Sequence, residues 1–317
     1  MPSSRARAMG SLLCILVLLC SGATAVAGTP PAPFAPDGVW NRPLAAGAPI
    51  AADSERLVGE LVRQVRTYGS WVNTTRYSTP VYRVDAAQPG VRVTLDAPDS
   101  AVNRRLADAL ASVPLPPGAR PAAGDDGHAV VWRPATDEMW ELWRLRELAD
   151  GWHASWGGKI DGVSTNPGVH PWPYGATATG LALHGGLILP SEVQAGDIPH
   201  ALAISVPELT ASVFAAPANR TDGTIAGGGI PAGTRFRLPP TLDIRSLRLP
   251  WTAAVMAQAA QRYGLVVRDK GGAVSFYGED PKSLGSNPWP LLFEGRYPDQ
   301  NGMLARFPWD KLQVVAP

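Results

Sequence analysis

Cysteine is almost absent from this sequence. Its two cysteines, Cys14 and Cys20, lie within the first 20 of 317 residues, inside a stretch that we interpret below as a cleavable leader. Without that leader the chain has no disulfide, no thiol nucleophile and no thiolate metal ligand. The scarcity of cysteine therefore excludes cysteine peptidases and cysteine-dependent transpeptidases as functions of the remaining chain.

Charged residues are also scarce, at 17% of the chain. Removing Arg5 and Arg7 with the leader lowers the basic residues from 28 to 26, against 27 acidic ones. This balance leaves no electrostatic footprint for nucleic acid or an anionic membrane surface. We therefore predict no nucleic-acid partner.

Several catalytic motifs are missing. The sequence has no His-Glu-x-x-His pair, no Gly-x-Ser-x-Gly elbow and no Ser-x-x-Lys motif, which disfavours the corresponding metalloprotease and serine-enzyme classes. The five histidines are scattered over separate predicted elements, without the spacing typical of metal ligands. We predict no metal and no cofactor, and the remaining options are carboxylate chemistry, histidine acid–base chemistry or binding alone.

The amino terminus has the pattern of a secretory signal peptide. Two arginines precede the apolar run 11–20, and Ala25-Val26-Ala27 offers a small-x-small cleavage site. The run is too short to span a bilayer, which takes about 20 apolar residues. A lipoprotein leader ending at Cys20 is the alternative, although Leu19 is large for such a site. We predict a signal peptide over 1–27, cleavage after Ala27, a secreted, extracellular protein and no later membrane span.

Glycine and proline are frequent, with 33 and 32 residues, which is typical of many short strands joined by turns. Periodicity predicts helices over 52–67, 100–112 and 251–263, and a hairpin joining strands 265–269 and 274–277 across Lys270-Gly271-Gly272. We predict a β-rich α+β fold with a β-sandwich or jelly-roll-like core and about three packing helices. Residues 28–38 form a Pro-rich arm, extended or disordered, and 39–317 a single domain with an irregular C-terminal extension.

Tryptophan is the first pointer to function. Five of the 11 tryptophans fall on three predicted middle strands: Trp132, Trp140, Trp143, Trp152 and Trp156. Alternation places Trp140 and Trp143 on opposite faces, so a core on one face leaves an aromatic surface on the other. Sugar rings stack on such surfaces, and we predict Trp143 and Trp156 as substrate-binding residues. The alternative is that these tryptophans only fill the core.

Carboxylates are the second pointer, because glycoside cleavage uses two of them. Glu141 lies in mid-strand beside tryptophans, where an acid is costly unless paired or used, and Asp222 lies in a predicted turn. We predict both as catalytic, with Arg235 lining the same groove. The alternatives are a salt bridge from Glu141 to Arg235 or Arg237, and an Asx turn at Asp222.

His200 begins a predicted strand, on the same face as Leu202 and Ile204. It is a third catalytic candidate, because a neutral histidine beside a carboxylate suits acid–base work. In a polysaccharide lyase, His200 or Tyr263 would abstract the proton. The alternative is a hydrogen-bonded core histidine.

Several strings resemble a largely uncharacterised family of secreted, mainly actinobacterial proteins. They include Trp40-Asn41-Arg42, Asn73-Thr74-Thr75, Trp140-Glu141-Leu142-Trp143 and Ile198-Pro199-His200-Ala201-Leu202, and the resemblance runs from about residue 40 to residue 280. It implies an extracellular protein with one long domain, and it brings no activity and no catalytic residues.

The sequence thus predicts a secreted carbohydrate-active protein. We favour a glycoside hydrolase that acts on envelope or extracellular polysaccharide through a carboxylate pair. The alternatives are a non-catalytic module that binds glycan or cell envelope, and a lyase based on histidine or tyrosine.

Overall fold

The computed structural model describes residues 33–295 and 300–316. The predicted signal peptide, its cleavage point and both cysteines lie outside these residues. Only the end of the Pro-rich arm is described, and here Phe34 and Ala35 are buried. The Asn41 amide donates to the carbonyls of residues 33–35 at 2.8–3.3 Å. This part of the arm is therefore packed into the domain, and the expectation of an extended or disordered surface arm is wrong for it.

The described chain is a mixed α+β protein, as predicted. Its six α-helices are α1 (Ser54–Tyr68), α2 (Ala101–Ala109), α3 (Pro190–Ala195), α4 (Trp251–Arg262), α5 (Trp289–Leu292) and α6 (Gln300–Leu304). Its fifteen strands are β1 (Ser70–Asn73), β2 (Val81–Arg83), β3 (Val93–Leu95), β4 (Ala129–Arg133), β5 (Glu138–Trp143), β6 (Arg146–Leu148), β7 (Gly151–Ala154), β8 (Trp156–Asp161), β9 (Leu202–Val206), β10 (Leu209–Phe214), β11 (Ile230–Ala232), β12 (Arg235–Arg237), β13 (Leu265–Lys270), β14 (Val274–Tyr277) and β15 (Gln313–Val314).

Sequence pattern accounts for the three longest helices, which match the three predicted. In α1, Leu57, Val58 and Leu61 recur at helical spacing and are buried. The Oγ of Ser100 caps α2 by accepting the backbone N–H of Asn103 at 3.1 Å. Pro250 precedes α4, whose alanine-rich face is buried.

The strands form four sheets. The largest is mixed and has the order β1-β14-β9-β13-β12-β15; the others are β2-β4-β5-β8, β3-β7-β6 and the pair β10-β11. We call the first two the six-stranded and four-stranded sheets. The C-terminal extension, expected to be irregular, supplies α5, α6 and the edge strand β15, which pairs with β12.

The predicted hairpin of β13 and β14 is wrong. Strand β9 lies between them, parallel to β13 and antiparallel to β14. All five residues of β9 are buried, as expected for a strand covered on both faces. A short turn between two apolar strands favours a hairpin locally. The structure instead places β9 between these strands, because this position buries the apolar residues of β9 completely.

Successive side chains of β9 point into two different cores, one on each face of the six-stranded sheet. Ile204 belongs to a core with helices α1, α4 and α5. Ala203 belongs to a second core, which it shares with Val130 and Trp132 of the four-stranded sheet. A third core joins the far side of that sheet to α2. The four-stranded sheet therefore has apolar neighbours on both faces.

The predicted aromatic surface along β5 is not found. Trp140 and Leu142 fill the third core, and Met139 fills the second. Trp152 and Trp156, expected on one strand, lie on β7 and β8 in different sheets. Trp132 and Trp140 are buried in the cores, whereas Trp143, Trp152 and Trp156 are half-buried. Trp143 and Trp156 pair at the end of the β5–β8 ladder.

Among the described helices, none combines the length and apolarity required to cross a bilayer.

Truncation in the central strand tests this arrangement. We expect Ile204→Ala to lower the free energy of unfolding by about 2–5 kcal/mol, because the side chain is fully buried and its loss leaves a cavity. Val213→Ala is the matched control, since Val213 is 49% exposed on β10. Urea titrations of the two variants measure the difference, and equal midpoints would contradict the central position of β9.

Candidate functional site

Two adjoining clefts form a groove. The first lobe has a volume of about 560 Å³ and its wall includes Tyr68, Trp71, Tyr77 and Tyr277. The second lobe, of about 300 Å³, includes Trp143, Trp156, Arg220 and Asp222. Four residues line both lobes, and we call them the waist: Asp126, His128, Asp269 and Lys270. A chain-like ligand that occupies both lobes must pass these four side chains.

The waist takes two residues from each of two regions. Asp269 and Lys270 end β13 of the six-stranded sheet. Asp126 and His128 lie in the turn before β4 of the four-stranded sheet, where Gly127 has a φ of +44°, a conformation that glycine adopts readily. The groove therefore lies where the ends of two sheet strands meet.

Asp269 is the most perturbed acid of the waist. Burial raises its pKa to about 7; the Arg268 guanidinium opposes the shift, while the negative charges of Asp222 and Asp126 add to it. Its Oδ1 accepts the backbone N–H groups of Ala178 at 3.3 Å and Lys270 at 3.0 Å. The carboxyl group is thus held in place and carries a proton in slightly acidic solution.

Asp126 and His128 complete the waist. The indole Nε1 of Trp143 donates to Asp126 Oδ1 at 3.2 Å. Burial lowers the pKa of His128, so the ring is neutral at neutral pH. Its Nε2 lies 3.2 Å from the carbonyl oxygen of Ala176, and we assign the proton to Nε2 because a carbonyl only accepts. Nδ1 is then the lone-pair nitrogen.

Asp222 lies in the second lobe together with Trp143 and Trp156, so three of the predicted site residues share one cleft. The Asp222 side chain is exposed at the lobe; partial desolvation raises its pKa, and Lys270 opposes that shift. The predicted alternative, an Asx turn, is not its role here. The turn is capped by Thr221, whose Oγ1 accepts the N–H of Gly223 at 3.0 Å.

The aromatic walls are held by further contacts. Trp156 stacks with Tyr174 at 6.3 Å between ring centroids, and its Nε1 donates to the Pro173 carbonyl at 3.3 Å. In the first lobe, Tyr77 has a φ of +53°. Such a conformation is costly for a residue with a side chain, and it is found preferentially at functional sites.

Glu141 does not line the groove. It is fully buried, and its oxygens accept His170 Nε2 at 2.7 Å and the backbone N–H groups of Leu183 at 2.7 Å and His184 at 3.0 Å. Gly158, its partner on β8, makes room for this network, since a Cβ there would lie 2.6 Å from His170 Nδ1. Both carboxylate oxygens are occupied and shielded from substrate, which corrects the catalytic assignment. The predicted salt bridge to Arg235 or Arg237 is also wrong.

The other predicted residues lie outside the groove lining. His200 is buried, with Nε2 at 3.2 Å from Glu192 and Nδ1 at 2.8 Å from the Ala201 carbonyl, which is the alternative role foreseen for it. Tyr263 is buried in the second core, and its carbonyl accepts the Nε of Arg235 at 2.9 Å. These contacts are structural, and they remove His200, Tyr263 and Arg235 from the candidate site.

Sequence reasoning missed Asp126, His128 and Asp269. The run Asp125-Asp126-Gly127-His128 places an acid and an imidazole on either side of a turn glycine, directly before an apolar strand. That signal was present. Asp269 looked like the ordinary end of a hairpin strand, and its importance depends on neighbours distant in sequence.

No family model, no curated protein and no solved structure matches this chain. The resemblance to secreted actinobacterial proteins therefore stays a prediction. Within residues 33–295 and 300–316, no three His, Cys, Asp or Glu side chains are grouped so as to hold a metal ion.

Replacing Glu141 tests its structural role. In Glu141→Gln an amide nitrogen must face N–H donors, and we expect a loss of about 3 kcal/mol in the free energy of unfolding. The interactions with His170 and the two backbone amides outweigh burial and lower the pKa of Glu141. The stabilisation is therefore present above the unfolded pKa of about 4.3 and fades as the pH falls through the folded value. Urea unfolding of the wild-type protein and the variant at pH 7 and pH 3 measures this stabilisation. If the two proteins differed by the same free energy of unfolding at both pH values, this account would be contradicted.

We expect replacement of Asp269 to stabilise the protein, in contrast to replacement of Glu141. Its raised pKa means that the ionised carboxylate destabilises the fold, increasingly from about pH 4 to about pH 7 and constantly above. We expect Asp269→Asn to raise the melting temperature at pH 8 and to change it little at pH 4. Asp125→Asn, an exposed neighbour of the waist, is the control. A destabilised Asp269→Asn protein at pH 8 would count against a strained carboxylate.

Proposed function

We propose that this protein is a glycoside hydrolase that cleaves a polysaccharide lying through both lobes of the groove. The observation that carries the proposal is the waist: it presents an acid whose pKa is about 7 together with a second carboxylate, Asp126, at the point that both lobes share. Glycoside cleavage uses two carboxyl groups, one that donates a proton and one that acts as nucleophile or base.

Asp269 is the proton donor in this proposal. Its protonated carboxyl transfers a proton to the glycosidic oxygen as the bond to the anomeric carbon breaks. Asp126, oriented by the Trp143 indole, either attacks the anomeric carbon or takes a proton from the attacking water. Asp222 is a positioning residue, because its charge helps to keep the proton on Asp269.

Aromatic residues at both ends of the groove support a sugar ligand. Trp71 and Tyr77 line the first lobe, and Trp143 and Trp156 line the second. Pyranose rings offer apolar C–H faces that pack on aromatic rings, while the acids and Lys270 at the waist can bond hydroxyl groups. The substrate would thus be bound on both sides of the cleaved bond.

A lyase is the second candidate. His128 favours it, because a neutral imidazole with a free Nδ1 can abstract a proton. Lyases also need cations to neutralise an acidic sugar. Here Arg220 gives its N–H groups to the carbonyls of Tyr174, Gly175 and Thr177, which leaves Lys270 as the cation most available in the groove. The groove is therefore better suited to a neutral polymer, and hydrolysis is the preferred reaction.

Secretion and a sandwich-like core are part of this proposal. A polysaccharide substrate agrees with export by the predicted signal peptide and with action on envelope or extracellular glycan. A sandwich-like core is supported by the second core, which is shared by the six-stranded and four-stranded sheets. The non-catalytic alternative, a module that binds glycan or envelope, would use the same groove.

The decisive assay is cleavage of envelope and plant polysaccharides. It measures newly formed reducing ends and the ultraviolet absorbance of unsaturated products. We expect reducing ends without unsaturation. Asp269→Asn and Asp126→Asn should each lower the rate at least about 100-fold, with Asp125→Asn as the unaffected control. Because Asp269 must be protonated to donate, the rate should fall as the pH rises above about 7.

Three results would redirect the assignment. Unsaturated products that disappear in His128→Ala would favour the lyase. Polymer binding without turnover, weakened by Trp143→Ala, would favour the binding module. Full hydrolysis by Asp269→Asn would refute the proposed acid.

A further inference from the structure

A third cleft, distinct from the groove, has a volume of about 480 Å³. It shares no lining residue with either lobe. Its wall is mainly aliphatic and includes Val39, Leu44, Leu57, Pro231 and Val314. The volume lies in the range of small-molecule sites, which are typically apolar with a few fixed polar groups. We call it the arginine cleft, because Arg42 and Arg235 also line it.

Arg42 and Arg235 are these polar groups. The Nε of Arg235 donates to the Tyr263 carbonyl at 2.9 Å, and one terminal nitrogen donates to the carbonyls of Tyr263 and Arg42. These bonds fix the guanidinium in a half-buried position. Its other terminal nitrogen, Nη1, has no hydrogen-bond partner in the described part of the chain, and the exposed guanidinium of Arg42 has none there either.

The two positive charges are not neutralised. Desolvation, with the repulsion of Arg42 added to it, lowers the pKa of Arg235 to about 10. Two carboxylates, Asp37 and Asp53, also line the cleft. Asp53 is paired with Arg56 at 2.7 Å, and Asp37 is exposed at the surface. Across the described ranges, no carboxylate lies within 4.0 Å of either arginine. An anion between the two guanidinium groups would relieve the repulsion and replace the lost hydration.

We propose that the arginine cleft binds a small amphiphilic carboxylate. Its carboxylate group would lie between Arg42 and Arg235, and its hydrocarbon body would lie against the aliphatic wall. A planar carboxylate fits the fork of a guanidinium group, and the apolar wall favours a fatty chain over a fully hydrophilic anion. This site does not depend on the proposed hydrolysis in the groove.

Decanoate is a suitable probe, titrated into the purified protein at pH 7.5 and followed by calorimetry. We expect saturable 1:1 binding with a dissociation constant of about 1 mM or lower. Arg42→Gln should weaken binding at least about tenfold, and decan-1-ol should bind correspondingly weakly because it lacks the charge. The matched control is Arg66→Gln, since Arg66 is an exposed arginine on α1 that does not line the cleft.

A second variant locates the binding site. Ala216 lines the cleft and is exposed, so Ala216→Phe should fill the space and abolish binding without disturbing the core. The proposal is overturned if wild-type protein shows no saturable binding, or if Arg42→Gln and Arg66→Gln bind equally. It is also overturned if decanol binds as tightly as decanoate, or if Ala216→Phe retains full affinity.

Discussion

The buried carboxylate of Glu141 is the interaction on which the site depends. By accepting His170 and the amides of Leu183 and His184, it fixes both ends of segment 170–184 to the four-stranded sheet. The middle of that segment reaches the waist, where the Ala176 carbonyl binds His128 and the Ala178 amide binds Asp269. Between these ends, Arg220 donates to the carbonyls of Tyr174, Gly175 and Thr177 and holds the middle of the segment as well. The charge of Glu141 is compatible with complete burial only because three donors satisfy it.

The same segment also accommodates the cation beneath the waist. Arg268 is fully buried and donates to the carbonyls of Leu183 and Gly185 at 2.5 and 3.0 Å, while its guanidinium lies 4.1 Å from the ring centroid of Tyr277. Its positive charge limits the rise in the pKa of Asp269. The waist therefore balances desolvation and two neighbouring acids against one buried cation. That balance, more than any single contact, keeps the pKa of Asp269 near 7, so that the carboxyl group can donate a proton near neutral pH.

Local pattern predicted local structure well. Periodic apolar residues located α1, α2 and α4, and the alternating strands around β4 and β5 were found because neighbouring residues define them. The position of β9 between β13 and β14 could not be found in this way. It is determined by burial of apolar side chains that are distant in sequence, and a turn with Gly271 and Gly272 fits a hairpin equally well. Pairing partners are therefore the part of the fold that the sequence left open.

The residues of the candidate site also differ in whether local sequence or only long-range contacts reveal them. Trp143, Trp156 and Asp222 line one lobe, and the sequence placed them together because aromatics at a strand end and an acid in a turn are visible locally. Glu141 was misassigned on sound reasoning: an acid in mid-strand between tryptophans is costly unless it is paired or used. The sequence shows that such a residue must have partners, but not whether they are protein groups or substrate. Because its donors come from about 30 and 40 residues downstream, only the folded chain distinguishes a structural carboxylate from a catalytic one. The donors of Glu141 and the Ala178 amide that binds Asp269 all belong to segment 170–184, and so the error and the omission have one cause.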